Sequence, residues 1–95
     1  MVLYKFSASW CGPCKVMAKK LAGFDACDVA EIDIEEDENE ELVEKFAIKS
    51  VPTMVLLDQT GVEANRWVGL VDVSEIKKEV EKLSAELHKQ PPMEI

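Results

Sequence analysis

The sequence predicts a single α/β domain, a four-stranded mixed sheet with helices on both faces and the chain order βαβαββα. Three observations carry this. A short apolar run, Val2–Phe6, and an alternating one, Asp28–Ile34, flank a segment of helical periodicity, which makes a crossover unit with parallel strands. Two later runs, Thr53–Leu57 and Val62–Val68, are joined by the turn sequence Asp58-Gln59-Thr60-Gly61 and read as a hairpin. One amphipathic stretch follows them. At 95 residues the chain has room for one domain, expected over residues 1–89, with 90–95 around Pro91-Pro92 as a disordered tail.

Each element has a local reason. Val2–Phe6 is apolar but for Lys5, and leads through Ser7-Ala8-Ser9 into Trp10-Cys11-Gly12-Pro13-Cys14, where a helix opens. Val16, Met17, Ala18 and Leu21 give that helix an apolar stripe, Lys15, Lys19 and Lys20 its polar face, and Gly23 its stop. Val29, Ile32 and Ile34 mark the second strand. The acidic block Glu35–Glu41 is a solvated helix start, its carboxylates complementing the positive end of the helix dipole before Leu42, Val43, Phe46 and Ile48. Ser50-Val51-Pro52-Thr53 is expected to break that helix. Val73, Ile76, Val80, Leu83 and Leu87 space out a last helix beginning near Asp72, after Gly69 has ended the hairpin.

Composition excludes several function classes. A net charge of −8 repels a phosphate backbone, so nucleic-acid binding is not expected. The longest apolar runs, such as Met54–Leu57, fall far short of a membrane span. Met1–Ser9 lacks the basic start and long apolar centre of a secretory signal, so a cytoplasmic location is expected. Three cysteines are too few for a disulfide scaffold, and their reading is reactivity: redox or metal chemistry.

Cys11 and Cys14, two residues apart, can close a disulfide if the chain between them turns tightly, which a helix start containing Gly12 and Pro13 allows. Pro13 falls in the first helical turn, where a missing N–H costs little. Cys11, just outside that turn, is expected to face solvent and the unpaired N–H groups, which favour thiolate over thiol. That makes Cys11 the nucleophile. Cys14, further inside, is the resolving thiol that attacks a mixed disulfide and releases the reduced partner.

Trp10-Cys11-Gly12-Pro13-Cys14-Lys15 resembles the active-site motif of the thioredoxin family, and Val51-Pro52-Thr53 resembles its cis-proline segment. The resemblance runs from Val2 through the final helix, includes Gly69 where the family has a glycine lining its substrate groove, and lacks an N-terminal strand and helix found in longer members. It implies a thioredoxin-like fold and a cis Pro52 that sits against the disulfide, blocks metal binding there and leaves the Val51 main chain to pair with an extended substrate. Trp10, Val51, Pro52 and Gly69, with Gly12 and Pro13, would form the substrate groove. The implied activity is reduction of protein disulfides by dithiol-disulfide exchange, with no bound cofactor, in a monomer recycled by a flavin-dependent thioredoxin reductase. The alternatives are a glutaredoxin-like reductase recycled by glutathione, a family with a different dipeptide between its cysteines and a second glycine where Leu70 stands, and a non-catalytic thioredoxin-fold binding subunit.

The remaining candidates have plainer readings. A zinc site would need two ligands beyond Cys11 and Cys14, and the chain offers only Cys27 and His88, neither at metal spacing, so no metal is expected. Cys27 reads as a small packing residue, Trp67 as hairpin packing, and His88, near the end of the last helix, has no catalytic role. Trp10 reads as a partner contact beside the reactive thiol. The departure from the family lies in Lys5 and Glu31. They occupy the places of a buried acid beneath the motif and a lysine on the neighbouring strand, so the two charges are exchanged. An ammonium inside an apolar strand is costly unpaired, and the crossover puts both strands side by side, so Lys5 and Glu31 are expected to pair. In that arrangement Glu31 would take the proton from Cys14, while Lys5 would hold the acid and favour thiolate.

Overall fold

A computed structural model describes residues 1–89, the last four as helix backbone. The expected tail at 90–95 lies outside the described residues. The elements are β1 (Val2–Ser7), α1 (Gly12–Lys20), β2 (Asp28–Asp33), α2 (Glu40–Lys45), β3 (Thr53–Leu57), β4 (Glu63–Val68) and α3 (Val73–Lys89). The sheet order is β2-β1-β3-β4, with β1 and β2 parallel and the other pairs antiparallel. This is the mixed sheet that a crossover followed by a hairpin requires.

Alternation along β1 sorts its side chains between two cores. Leu3 joins Met17 and Leu21 of the α1 segment, Met54 and Leu56 of β3, and Ile76 and Val80 of α3. Val2, Tyr4 and Phe6 point the other way, into the cluster of Ile32, Phe46, Val55 and Leu57 that α2 covers with Leu42 and Val43. Helices therefore lie on both faces, and each fully buried side chain such as Met17 or Ile76 contributes roughly 1.5–3 kcal/mol. Trp67 packs at the edge of the first cluster. Lys5 and Ser7 share the face of Leu3 by the same period of two, so they look toward α1. Among the described residues no helix is long and apolar enough to cross a membrane.

The second helix departs from expectation at both ends. Asp37–Asn39 forms a 3-10 turn, and α2 proper spans Glu40–Lys45, well before the Ser50–Thr53 breaker. It stops because Ala47 takes a left-handed φ of 51°, with the Ile48 N–H donating to the Val43 carbonyl at 3.0 Å in a Schellman-type closure. Arg66 of β4 donates to the freed Phe46 carbonyl at 2.8 Å and to Glu63, tying the helix end to the sheet. Ile48 is thereby outside the helix and packs against the Phe6 cluster from the loop.

Candidate active site

The site forms at the start of α1, where β1 delivers its chain into Trp10-Cys11. Cys11 is the N-cap, extended at φ −90°, and its sulfur accepts the Cys14 N–H at 3.1 Å, satisfying one of the donors a helix start leaves open. Gly12 and Pro13 occupy the first turn. Cys11 and Cys14 are joined as a disulfide, with their Cα atoms 5.2 Å apart.

Three further segments converge on it. The Val51–Pro52 peptide bond is cis. The Val51 carbonyl oxygen lies 3.7 Å from Cys11 Sγ, and Val51 packs with Ile34 on the small cluster of Ala8, Cys11 and Cys14. Gly69 donates its N–H to the Pro52 carbonyl at 2.8 Å and has φ 83°, a left-handed conformation that favours glycine, whereas a Cβ there would meet open space. Trp10 is 69% exposed, and Val68 and Leu70, on either side of Gly69, are exposed as well. Trp10, Val51, Pro52 and Gly69 are thus placed around one end of the sheet.

One expectation is overturned. Cys11 does not face solvent more than its partner: it is 4% exposed and Cys14 3%. As the cap its side chain folds back over the helix start, where Ala8 and Val51 pack on it. The two cysteines differ in their surroundings, since Cys14 but not Cys11 is among the residues lining a cavity of about 280 Å³, with Lys5, Ser7, Ala8, Ser9, Lys15, Ala18, Glu31 and Asp33.

Lys5 and Glu31 are direct neighbours in the parallel register of β1 and β2. Lys5 Nζ lies 3.1 Å from Glu31 Oε1, and the pair is lopsided, with 4% of the lysine side chain exposed against 65% of the glutamate. Ser7 Oγ donates to the same oxygen at 3.2 Å. The hydrogen bond from Lys5 is the main reason the Glu31 carboxyl is held below its ordinary range, against a smaller opposing effect of burial.

Sequence reasoning missed the tether from Ser9, whose N–H and Oγ both donate to Glu35 Oε1 at 3.1 and 2.8 Å, fixing the loop before Trp10 to the end of β2. It also missed Ser7, although the period-two rule applied to Lys5 would have placed it on the same face. Cys27 is half-buried beside the Leu3 cluster, and burial pushes its thiol pKa up. The backbone of His88 lies in α3, away in sequence from the site.

A disulfide closed across the first turn of a helix, on a sheet of this topology and beside a cis-proline, is the arrangement of the thioredoxin-like fold. The thioredoxin family model matches residues 1–82, and the chain belongs to the thioredoxin family. Thioredoxin H2-1 of Oryza sativa subsp. japonica is 40% identical over 86 residues, 87% of this chain and 60% of that protein. Thioredoxin of Mycolicibacterium smegmatis is 40% identical over 73 residues, 72% of this chain and 64% of that one, so the chain spans somewhat under two thirds of both. The bifunctional thioredoxin reductase/thioredoxin of Mycobacterium leprae is 40% identical over 73 residues, 15% of its length. Among solved structures, thioredoxin 1 from Thermosipho africanus TCF52B superposes with a TM-score of 0.74 at 26% identity, covering 94% of this chain and all of that one.

Proposed function

We propose that the protein is a dithiol carrier that reduces disulfides in other proteins. Cys11 attacks a substrate sulfur and displaces the other as a thiolate, giving a mixed disulfide. Cys14 then attacks Cys11 Sγ, the substrate leaves with both sulfurs reduced, and the two electrons lost by the cysteine pair equal the two gained by the substrate. The observation that carries this reading is the Cys11–Cys14 disulfide with Cys11 capping the helix against Val51. Cys11 is the first nucleophile because its sulfur meets the open N–H end of α1, which favours thiolate.

Trp10, Gly12, Pro13, Val51, Pro52 and Gly69 form the substrate groove in this reading, with the Val51 main chain pairing with an extended segment. The exposed Val68 and Leu70 beside Gly69 support a polypeptide substrate. A flavin-dependent thioredoxin reductase is the electron source, a pairing supported by the fusion of the two activities in the M. leprae protein. The carrier works as a cytoplasmic monomer and contributes to electron transport and redox homeostasis there.

The test is insulin reduction driven by NADPH and thioredoxin reductase, run beside glutathione with glutathione reductase. Turnover with the first pair is expected. Turnover with the second alone would make the protein glutaredoxin-like, and none with either would leave a binding subunit.

A further inference from the structure

The buried ammonium of Lys5 has no part in the exchange set out under the proposed function, yet Lys5 lines the same cavity as Cys14, one of the two reacting residues. Lys5 is 3% exposed on the face of β1 that looks toward α1, and Cys14 is on the wall of the same cavity. Four charged side chains line that space: Lys5 from β1, Glu31 and Asp33 from β2, and Lys15 from α1. They count as two positive and two negative, so their sum decides nothing and their solvation decides which one acts on Cys14. Lys15 and Glu31 are exposed and Asp33 is partly so, which leaves them the more screened by water, while the Lys5 ammonium is buried and the least screened of the four. Its place is fixed by Glu31 Oε1 at 3.1 Å, an oxygen that Ser7 Oγ also holds.

We propose that Lys5 is the positioning charge of the resolution step: it favours the Cys14 thiolate that closes the disulfide, and the thiol proton leaves through the cavity to water rather than to Glu31. Glu31 and Ser7 serve to anchor the ammonium. The low basicity of Glu31 agrees, since a carboxylate held below its ordinary range by a lysine is a poor acceptor for a thiol proton. This departs from the expectation that Glu31 takes that proton. Bonds and electrons balance as before: the S–H of Cys14 is lost to solvent, the Cys14–Cys11 S–S bond forms, the Cys11–substrate S–S bond breaks, and the leaving sulfur is reprotonated by water.

The inference rests on Cys14 being the resolving thiol, but its first measurement does not. In a Cys11→Ser, Cys27→Ala background Cys14 is the sole thiol, and its pKa follows from thiolate absorbance against pH whether or not the protein turns over. Lys5→Met is expected to raise that pKa by about one unit, and Lys5→Arg to restore it. Glu31→Gln, which keeps an oxygen for Lys5 but removes the negative charge, is expected to leave the pKa unchanged or lower it. In the otherwise wild-type chain, single-turnover release of a mixed disulfide should slow about threefold near neutral pH in Lys5→Met. The tenfold loss of thiolate is partly offset by the greater nucleophilicity of a more basic sulfur. Glu31→Gln, which loosens the anchor but keeps the ammonium and an oxygen to hold it, should slow it less than Lys5→Met does. A Cys14 pKa that rises in Lys5→Met but not in Glu31→Gln is the signature, because a merely structural pair would shift both alike. An unchanged Cys14 pKa in Lys5→Met overturns the proposal. So does slower release in Glu31→Gln with normal release in Lys5→Met, which would make Glu31 the proton acceptor. Lys5→Gln serves as the second variant should Lys5→Met not fold.

Discussion

On the Cys11 side of the helix start the protein presents Trp10, Val51, cis-Pro52, Gly69 and the exposed Val68 and Leu70, while on the Cys14 side stand Lys5, Ser7, Glu31 and Asp33. The sheet order places the two sides at different strands, although each borders an edge of the sheet. Cys11 looks toward the segments that enter β3 and leave β4, and Cys14 toward β2, an edge strand. An edge strand is wet on its outer positions, so it can carry carboxylates that a central strand could not. In the proposed function the Cys11 side meets a polypeptide and has the opposite need, an apolar surface and available backbone. Two cysteines buried to nearly the same extent can thus be asymmetric in chemistry, because the asymmetry comes from neighbours rather than from exposure.

Exchanging the thiols is the hardest test of that asymmetry. Cys11→Ser is expected to abolish turnover, and Cys14→Ser to accumulate a mixed disulfide through Cys11 that non-reducing electrophoresis and peptide mapping would detect. A stable adduct at Cys14 in the Cys11→Ser protein would invert the two sides. Brief alkylation of the reduced protein near neutral pH should label Cys11 first, on the strength of its helix cap and not of its accessibility.

The apolar side can then be weakened alone. Trp10→Ala should raise KM for a protein disulfide several-fold, a loss of about 1 kcal/mol or more of contact, and leave reduction of a small aromatic disulfide little changed. Equal losses on both substrates would mean that Trp10 supports the loop rather than the partner.

On the charged side, Glu31→Leu strands a buried ammonium and should cost about 1–3 kcal/mol in chemical denaturation, whereas Lys5→Met replaces it with an apolar chain of similar length and should cost less or nothing. The pH dependence has a definite sign. Because the folded carboxyl of Glu31 lies below its ordinary range, its contribution is complete above the unfolded value of about 4.3 and is lost as pH falls through the folded one. In Lys5→Met that acid limb should flatten. An identical acid limb in both proteins would show that other carboxylates set it. The smallest effect is expected at Cys27, which faces neither side: Cys27→Ala should leave turnover within a factor of two of the parent, an order-of-magnitude bound for a thiol that takes no part in a two-sulfur exchange, and a large loss in a folded variant would give the third thiol a role.

The local rhythm of the chain was enough for the element order, the two-sided sheet and the placement of Cys11 and Cys14 at a helix start, because periods of two and of about 3.6 residues and the turn residues Gly61 and Gly69 act within a few positions of themselves. The end of α2 was not legible in this way. Leu42, Val43, Phe46 and Ile48 keep helical spacing, but Ala47 turns left-handed where Phe46 is drawn into the Tyr4 and Phe6 cluster and Arg66 takes its carbonyl. Nor could spacing tell that Cys11 is buried, since Val51, which covers it, is 40 residues away along the chain. The pairing of Lys5 with Glu31 was suggested by parallel neighbouring strands, yet a slip of one residue in register would have sent Glu31 to the opposite face. Register, burial and the Glu35 tether to Ser9 depend on residues far apart in sequence meeting in one packed arrangement, and packing selects that arrangement only when both sheet faces are covered at once.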